Sequence, residues 1–240
     1  MSAFQVSTLS ALMLGHYQGA MTVKDLLANG SLGVGTYEDL DGEAIIIDGK
    51  AYKGLAGGAV VEARPDEKVA FALVSSDLMA GSVFQASGIP DIATLESRMD
   101  DVRKIECKGD NYSCFVRVDG TFDSVLVRAC AKQAKPYKPF PLVAKSQVEK
   151  QVERIEGTIV GFWVSPYLTH SYFGWHLHFI SRDRKTLGGH VLACSLKVGL
   201  IGVKRITDFR SILPTDEAFA KLDLGRDMAK ELAAVEKNHK

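Results

Sequence analysis

The sequence predicts an α+β fold: two lobes of mixed, mostly antiparallel β-sheet with flanking helices, the C-terminal lobe barrel-like and ending in a helix. Three observations point there. Short β-branched and aromatic runs recur along the chain, and the dipeptides Asp48-Gly49 and Asp119-Gly120 sit between such runs, where hairpins turn. No strand–helix alternation is present, so a parallel sheet is not expected. Glycine, at 22 of 240 residues, exceeds the ~7% average and favours turns and strands over long helices.

Residues 4–8 read as a strand, followed by a helical stretch ending near Gly15. Thr22 is a suitable N-cap for a helix over residues 23–28, which Asn29-Gly30 stops. Residues 34–37 and 43–47 are strand-like, and Asp48-Gly49 turns the chain into Ala51-Tyr52. Residues 59–63 and 69–74 add two strands. Ile92, Leu95, Met99 and Val102 recur at helical spacing, which predicts a helix over 92–105. Residues 114–118 and 122–130 read as a second hairpin about Asp119-Gly120. Pro136, Pro139 and Pro141 then bar a helix or central strand, making residues 132–143 the candidate linker between lobes 1–140 and 141–240. Beyond it, residues 157–164, 175–182, 190–197 and 201–212 read as strands. Thr215 caps a final helix from Asp216 to about Lys237, interrupted at Gly225.

Composition excludes several classes. Lys+Arg and Asp+Glu number 29 each, for a formal net charge of zero, which argues against nucleic acid or an anionic membrane as partner. The longest apolar run near the N-terminus, residues 11–14, is too short for a signal peptide or a membrane span, so a cytoplasmic protein is expected. Cys107, Cys114, Cys130 and Cys194 form no C-x-x-C and read as reduced, buried thiols.

Four of the six histidines fall between residues 170 and 190. In a strand, His176 and His178 share one face. The midpoint of 178 and 190 lies inside the turn-like segment 183–189, so a symmetric hairpin sets His190 opposite His178, with Cβ atoms roughly 5 Å apart. Three converging imidazoles suit Zn2+ and leave coordination positions open. The alternative is that one or two are hydrogen-bonded core or rim residues, or that an irregular turn takes His190 out of the group. Arg128 has apolar neighbours on both sides, and a charge placed there needs either a ligand or a salt-bridge partner. The acidic run from Glu38 to Glu43 and the acidic last helix read, by composition, as solvated faces or turns.

Several segments together resemble the α-acetolactate decarboxylase family. They are Gln5 to Leu12 with Gly15-His16-Tyr17-Gln18-Gly19, Gly35-Thr36-Tyr37 leading to Leu40-Asp41-Gly42-Glu43, and Arg117 to Phe122 leading to Arg128. The most specific is His176-Leu177-His178-Phe179-Ile180 followed by Gly188-Gly189-His190-Val191-Leu192. Order and spacing agree from residue 5 to Val235-Glu236. The resemblance implies a zinc enzyme converting 2-acetolactate (2-hydroxy-2-methyl-3-oxobutanoate) to acetoin and carbon dioxide. It implies His176, His178 and His190 as zinc ligands, Glu43 and Glu236 as carboxylates beside the metal, and Arg128 and Thr36 as polar groups lining the substrate site. Glu231 lies close to Glu236 on the same expected helix. The turn before His190 is one residue longer than the commonest family form, and Ala193 stands where an acidic residue is expected. Decarboxylation of a β-keto acid leaves an enediolate, whose charge Zn2+ would stabilise. Arg128 would hold the departing carboxylate, and Glu43 would then protonate one face, giving one acetoin enantiomer. No organic cofactor is required. The implied partners are a small-molecule substrate and, through pairing of an exposed edge strand, a second copy in a homodimer.

Two rivals remain open from the residues alone. A cupin-type metal oxygenase also uses H-x-H and a distant His, but usually adds a Glu shortly after the pair, where this chain has Phe179, Ile180, Ser181 and Arg182. A binding or structural zinc protein would instead ligate its metal fully with protein groups.

Overall fold

The computed structural model describes residues 1–75, 82–165 and 174–226. The first strands are β1 (Ser2–Val6), β2 (Met21–Thr22), β3 (Leu32–Tyr37), β4 (Glu43–Ile47), β5 (Lys50–Gly54), β6 (Val60–Glu62) and β7 (Lys68–Ser75). There follow β8 (Ser82–Ile89), β9 (Cys114–Ala129), β10 (Val148–Val164), β11 (Gly174–Ser181), β12 (Gly188–Arg205) and β13 (Asp208–Ile212). The helices are α1 (Leu9–Met13), α2 (Val23–Leu27), α3 (Ile92–Cys107), α4 (Phe140–Val143) and α5 (Glu217–Ala220). Thr8, Thr22 and Asp91 cap the first three, each accepting a hydrogen bond from a backbone N–H three residues on. Among the described residues no helix is long and apolar enough to cross a membrane.

One sheet runs in the order β13-β1-β7-β3-β4-β5-β6, with β2 beside β7; β13 pairs parallel to β1 and the other pairings are antiparallel. The second runs β11-β10-β9-β12-β8, and β11 also pairs with β12, so pairing links four strands in a ring at that end. A core cluster joins the sheets, with Ile45 and Phe71 of the first meeting Phe115, Phe162 and Ile180 of the second. The predicted apolar face of α3, Leu95, Met99 and Val102, is buried against the second sheet among Val118, Phe122, Phe179 and Leu196.

Asp119-Gly120 does not turn the chain, contrary to the hairpin expected there. β9 runs unbroken through it, and Gly120 lies between Gly157 of β10 and Gly199 of β12. Ladders on both sides outweigh a local turn preference. The Asp119 carboxylate accepts from Arg117 Nε at 2.6 Å and from Thr158 Oγ1 at 2.7 Å rather than from a turn backbone. A Cβ at Gly120 would lie 2.6 Å from the Val198 carbonyl oxygen, so the close approach of these strands requires glycine.

The proline-rich stretch joins β9 to β10 within the second sheet. Strands change sheet between Ser75 and Ser82, and β13 returns to the first sheet, so β8 and β9 lie apart from the other strands before residue 140. Pro141 is accommodated in the first turn of α4, where its missing N–H is not needed, and sheet membership is set by long-range pairing. Within the described residues the expected final helix is not continuous: α5 ends at Ala220. Asp216, not Thr215, caps α5, and Asp223 Oδ1 then accepts from Gly225 N at 3.2 Å, a local bond that competes with helix continuation. Residues 227–240 lie outside the described residues.

Candidate metal centre and active site

The site is built at the seam between the sheets. On β11, His176 and His178 lie two apart and face one way, paired with Phe162 and Val160 of β10; the Phe162 ring stacks on His176 at 5.4 Å. Asp183 makes the turn that follows. Its carboxylate accepts from Lys185 N and Thr186 N at 3.0 Å each and from Ser181 Oγ at 2.6 Å. Those bonds, the Ser181 hydroxyl first, hold it well below the usual carboxylate range. The hairpin then closes with Ile180 opposite Gly188 and His178 opposite His190, the register that midpoint symmetry requires.

His176, His178 and His190 are buried, and each offers a ligand atom within 4.8 Å of the others. His178 Nδ1 lies 3.0 Å from the Ala44 carbonyl oxygen. A carbonyl only accepts, so Nδ1 carries the proton and Nε2 presents a lone pair. Burial, then His176 and Arg128, hold this imidazole well below its ordinary pKa, so it is neutral, the form that binds a metal. The Nε2 atoms of His176 and His178 are 3.1 Å apart. Zinc–nitrogen bonds of about 2.0–2.1 Å in a tetrahedral site separate ligand nitrogens by roughly 3.3 Å, so these residues fit the ion the resemblance implies.

Glu43 begins β4, and its Oε2 lies 3.5 Å from His178 Nε2. Thr36 sits across the β3–β4 pair from Glu43, and its hydroxyl donates to the Gly42 carbonyl at 3.1 Å, steadying the turn before Glu43. Arg128, 6% exposed, lies opposite His190 on the other flank of β12. One cavity brings Thr36, Glu43, Arg128, His176 and His190 together, with Leu12, Leu40 and Phe140 as an apolar wall. Glu236 and Glu231 lie outside the described residues. Ala193 follows an irregularity in the β9–β12 register and is exposed, away from the buried histidines.

Comparison with known proteins decides the family. The sequence model for alpha-acetolactate decarboxylase matches residues 3–226. The chain belongs to the α-acetolactate decarboxylase family. It is 39% identical to the α-acetolactate decarboxylase of Streptococcus thermophilus over 241 residues, covering 97% of each chain. Identity to that of Lactococcus lactis subsp. cremoris is 38% over 226 residues, covering 92% of each. The crystal structure of the Bacillus subtilis α-acetolactate decarboxylase matches at a TM-score of 0.92 and 25% identity, covering 100% of both chains. A Staphylococcus aureus protein of unknown function similar to α-acetolactate decarboxylase matches at 0.90 and 29% identity, covering 98% of this chain and 100% of that one. As a member of the α-acetolactate decarboxylase family the chain is a carboxy-lyase.

Two features that hold this family member's site together were not legible as site features. The acidic run is a turn, as its composition allows, but one held by specific partners. Asp39 and Leu40 have φ of 62° and 55°, a conformation side chains rarely adopt. Partners on two segments hold it: Asp39 N donates to Tyr17 O at 2.9 Å, Gln133 N donates to Asp39 O at 2.6 Å, and the Tyr137 hydroxyl donates to Asp39 Oδ1. That loop carries Leu40 and Glu43 into the cavity. The second feature is Gly54, paired with Glu43 on β5. A Cβ there would lie 2.6 Å from the Gly188 carbonyl carbon and oxygen, so glycine lets the strand beside Glu43 touch the strand leading to His190.

The described cysteines are free and buried, as their pattern predicts. Cys130 lines the cavity, but burial, then the Glu43 carboxylate, push its thiol up to about 12, so it is no thiolate nucleophile at neutral pH. Gln147 also lines the cavity. It stands between a helical turn and a strand in no recognisable motif, and no signal in the sequence marks it.

Proposed function

We propose that the chain catalyses zinc-dependent decarboxylation of 2-acetolactate to acetoin and carbon dioxide, with stereospecific protonation, as a cytoplasmic homodimer. The observation that carries this reading is the convergence of three buried histidines, one with its tautomer set by Ala44, on a cavity that also holds Glu43 and Arg128. His176, His178 and His190 would hold the zinc ion, which when bound supplies Lewis-acid stabilisation for negative charge developing on the substrate oxygens.

The other roles belong to the chain. Arg128, on an inner strand between β10 and β12, is rigidly placed to take the carboxylate in a bidentate contact and orient the bond that breaks. As carbon dioxide leaves, the electrons of that bond pass into the adjoining carbonyl, giving the enediolate. Glu43, fixed by the Thr36–Gly42 contact and the Gly54 approach, delivers a proton to carbon from one side. Leu12, Leu40 and Phe140 keep competing water from that carbon. The resemblance adds Glu236 as a second carboxylate.

Treatment with a chelator is expected to abolish acetoin formation and zinc to restore it. Equal turnover by protein shown to be free of metal would remove zinc from the reading. The four buried free cysteines suit a reducing compartment. For the dimer, β6, β8 and β13 each pair on one side only among the described strands, which leaves edges for a second copy. Sedimentation equilibrium is expected to return twice the chain mass, and a monomer would exclude that assembly.

A further inference from the structure

Gln147 follows the turn of Ala144–Ser146 and immediately precedes β10, its N–H donating to Ala144 O at 3.3 Å. The first pair of β10 with β9 is Val148 with Ala129, so the next step of that register sets Gln147 across from Cys130. Cys130 is the first residue after β9, two positions from Arg128, and both line the cavity. Gln147 joins them on the cavity wall that also holds Glu43, His176 and His190. Its amide hydrogen-bonds the Cys130 sulfur. An amide carries two N–H donors and a carbonyl acceptor, and the thiol engages only part of that capacity. Burial and Glu43 keep that thiol protonated, so the Cys130–Gln147 pair adds no charge beside Arg128.

We propose that Gln147 binds substrate: its amide N–H donates to the carboxylate of the 2-hydroxy-3-oxo acid that Arg128 holds. The assignment rests on the decarboxylase reading of the site and names the group that completes its anion subsite. Arg128, on β9, orients the breaking bond, and Gln147, just before β10, adds one uniform contact to the same carboxylate. As that bond breaks, negative charge leaves the carboxylate for the former carbonyl oxygen. The amide contact is then at least as strong in the bound substrate as in the transition state, so its loss raises KM and leaves kcat nearly unchanged.

The test uses the zinc-loaded full chain with Gln147→Met, which keeps length and removes the amide, and Gln147→Glu, which sets a second negative charge against the substrate. KM for acetolactate is expected to rise about tenfold in the Met variant, the scale of one hydrogen bond to a charged group, and further in the Glu variant. Zinc content and Tm should match the parent. Calorimetry with 2-hydroxy-2-methylpropanoate, a hydroxy acid without the keto group, should give the same order of Kd. Parent-like KM and Kd in both variants would overturn the proposal. So would a joint fall of kcat, zinc content and Tm with KM unchanged, since Gln147 would then serve only the fold. If the parent makes no acetoin yet binds the hydroxy acid in the same Gln147-dependent order, the amide keeps its role and the decarboxylase reading falls.

Discussion

His178→Ala is expected to lose bound zinc and acetoin production together. The side chain is fully buried and its Nδ1 proton is committed to the Ala44 carbonyl. One substitution therefore removes the proposed ligand nitrogen and the contact that ties β11 of the second sheet to β4 of the first. Loss of an outer partner of a metal ligand costs roughly 10–100-fold in metal affinity, and loss of the ligand itself should exceed that. The Ala44 carbonyl would also lose its donor, at about 1–3 kcal/mol of stability. Zinc stoichiometry, acetoin rate and thermal unfolding on one preparation separate these effects. A folded variant with stoichiometric zinc and parent-like turnover would show that His178 is not a ligand.

Glu43→Gln should behave differently, keeping the fold and most of the zinc while losing rate. The amide has nearly the shape of the carboxyl but cannot deliver its proton. Loss of a positioned proton donor lowers kcat by about 10²–10⁴-fold. Residual product, protonated by solvent, should be less optically pure than that of the parent. Full activity with unchanged enantiomeric purity would exclude Glu43 as donor. A larger rate loss in Glu236→Gln, measured alongside, would assign the proton to that residue instead.

The histidine arrangement was legible because it is local. A strand alternates faces every residue and a short turn constrains register, so the positions of His176, His178 and His190 point to one spot, and the regular hairpin register sets them together. Arg128 was legible as a charge among apolar neighbours, though nothing local says that His190 stands opposite it. β8 and the first half of β10 went unread for a physical reason. Both are largely exposed, the first half of β10 is mostly polar, β8 shows no clean alternation of buried apolar residues, and their strand state comes from the ladders beside them. Asp119-Gly120 erred in the other direction, since a strong turn dipeptide was drawn into the middle of a sheet.

By itself, then, the sequence determined the family and the parts of the candidate site: three imidazoles at hairpin spacing, an arginine, a carboxylate at the start of a strand, and a charge balance that argues against a polyanionic partner. It did so because strand alternation and hairpin register act over a few residues. Only the tertiary structure decided which strands share a sheet, that β13 returns beside β1, and that Gly54 meets Gly188 so that Glu43 reaches His178. It alone brought Gln147 and Cys130 to the cavity. Those outcomes depend on contacts between residues dozens to hundreds of positions apart, where pairing along whole strands and burial of a shared core override the preference of any short segment.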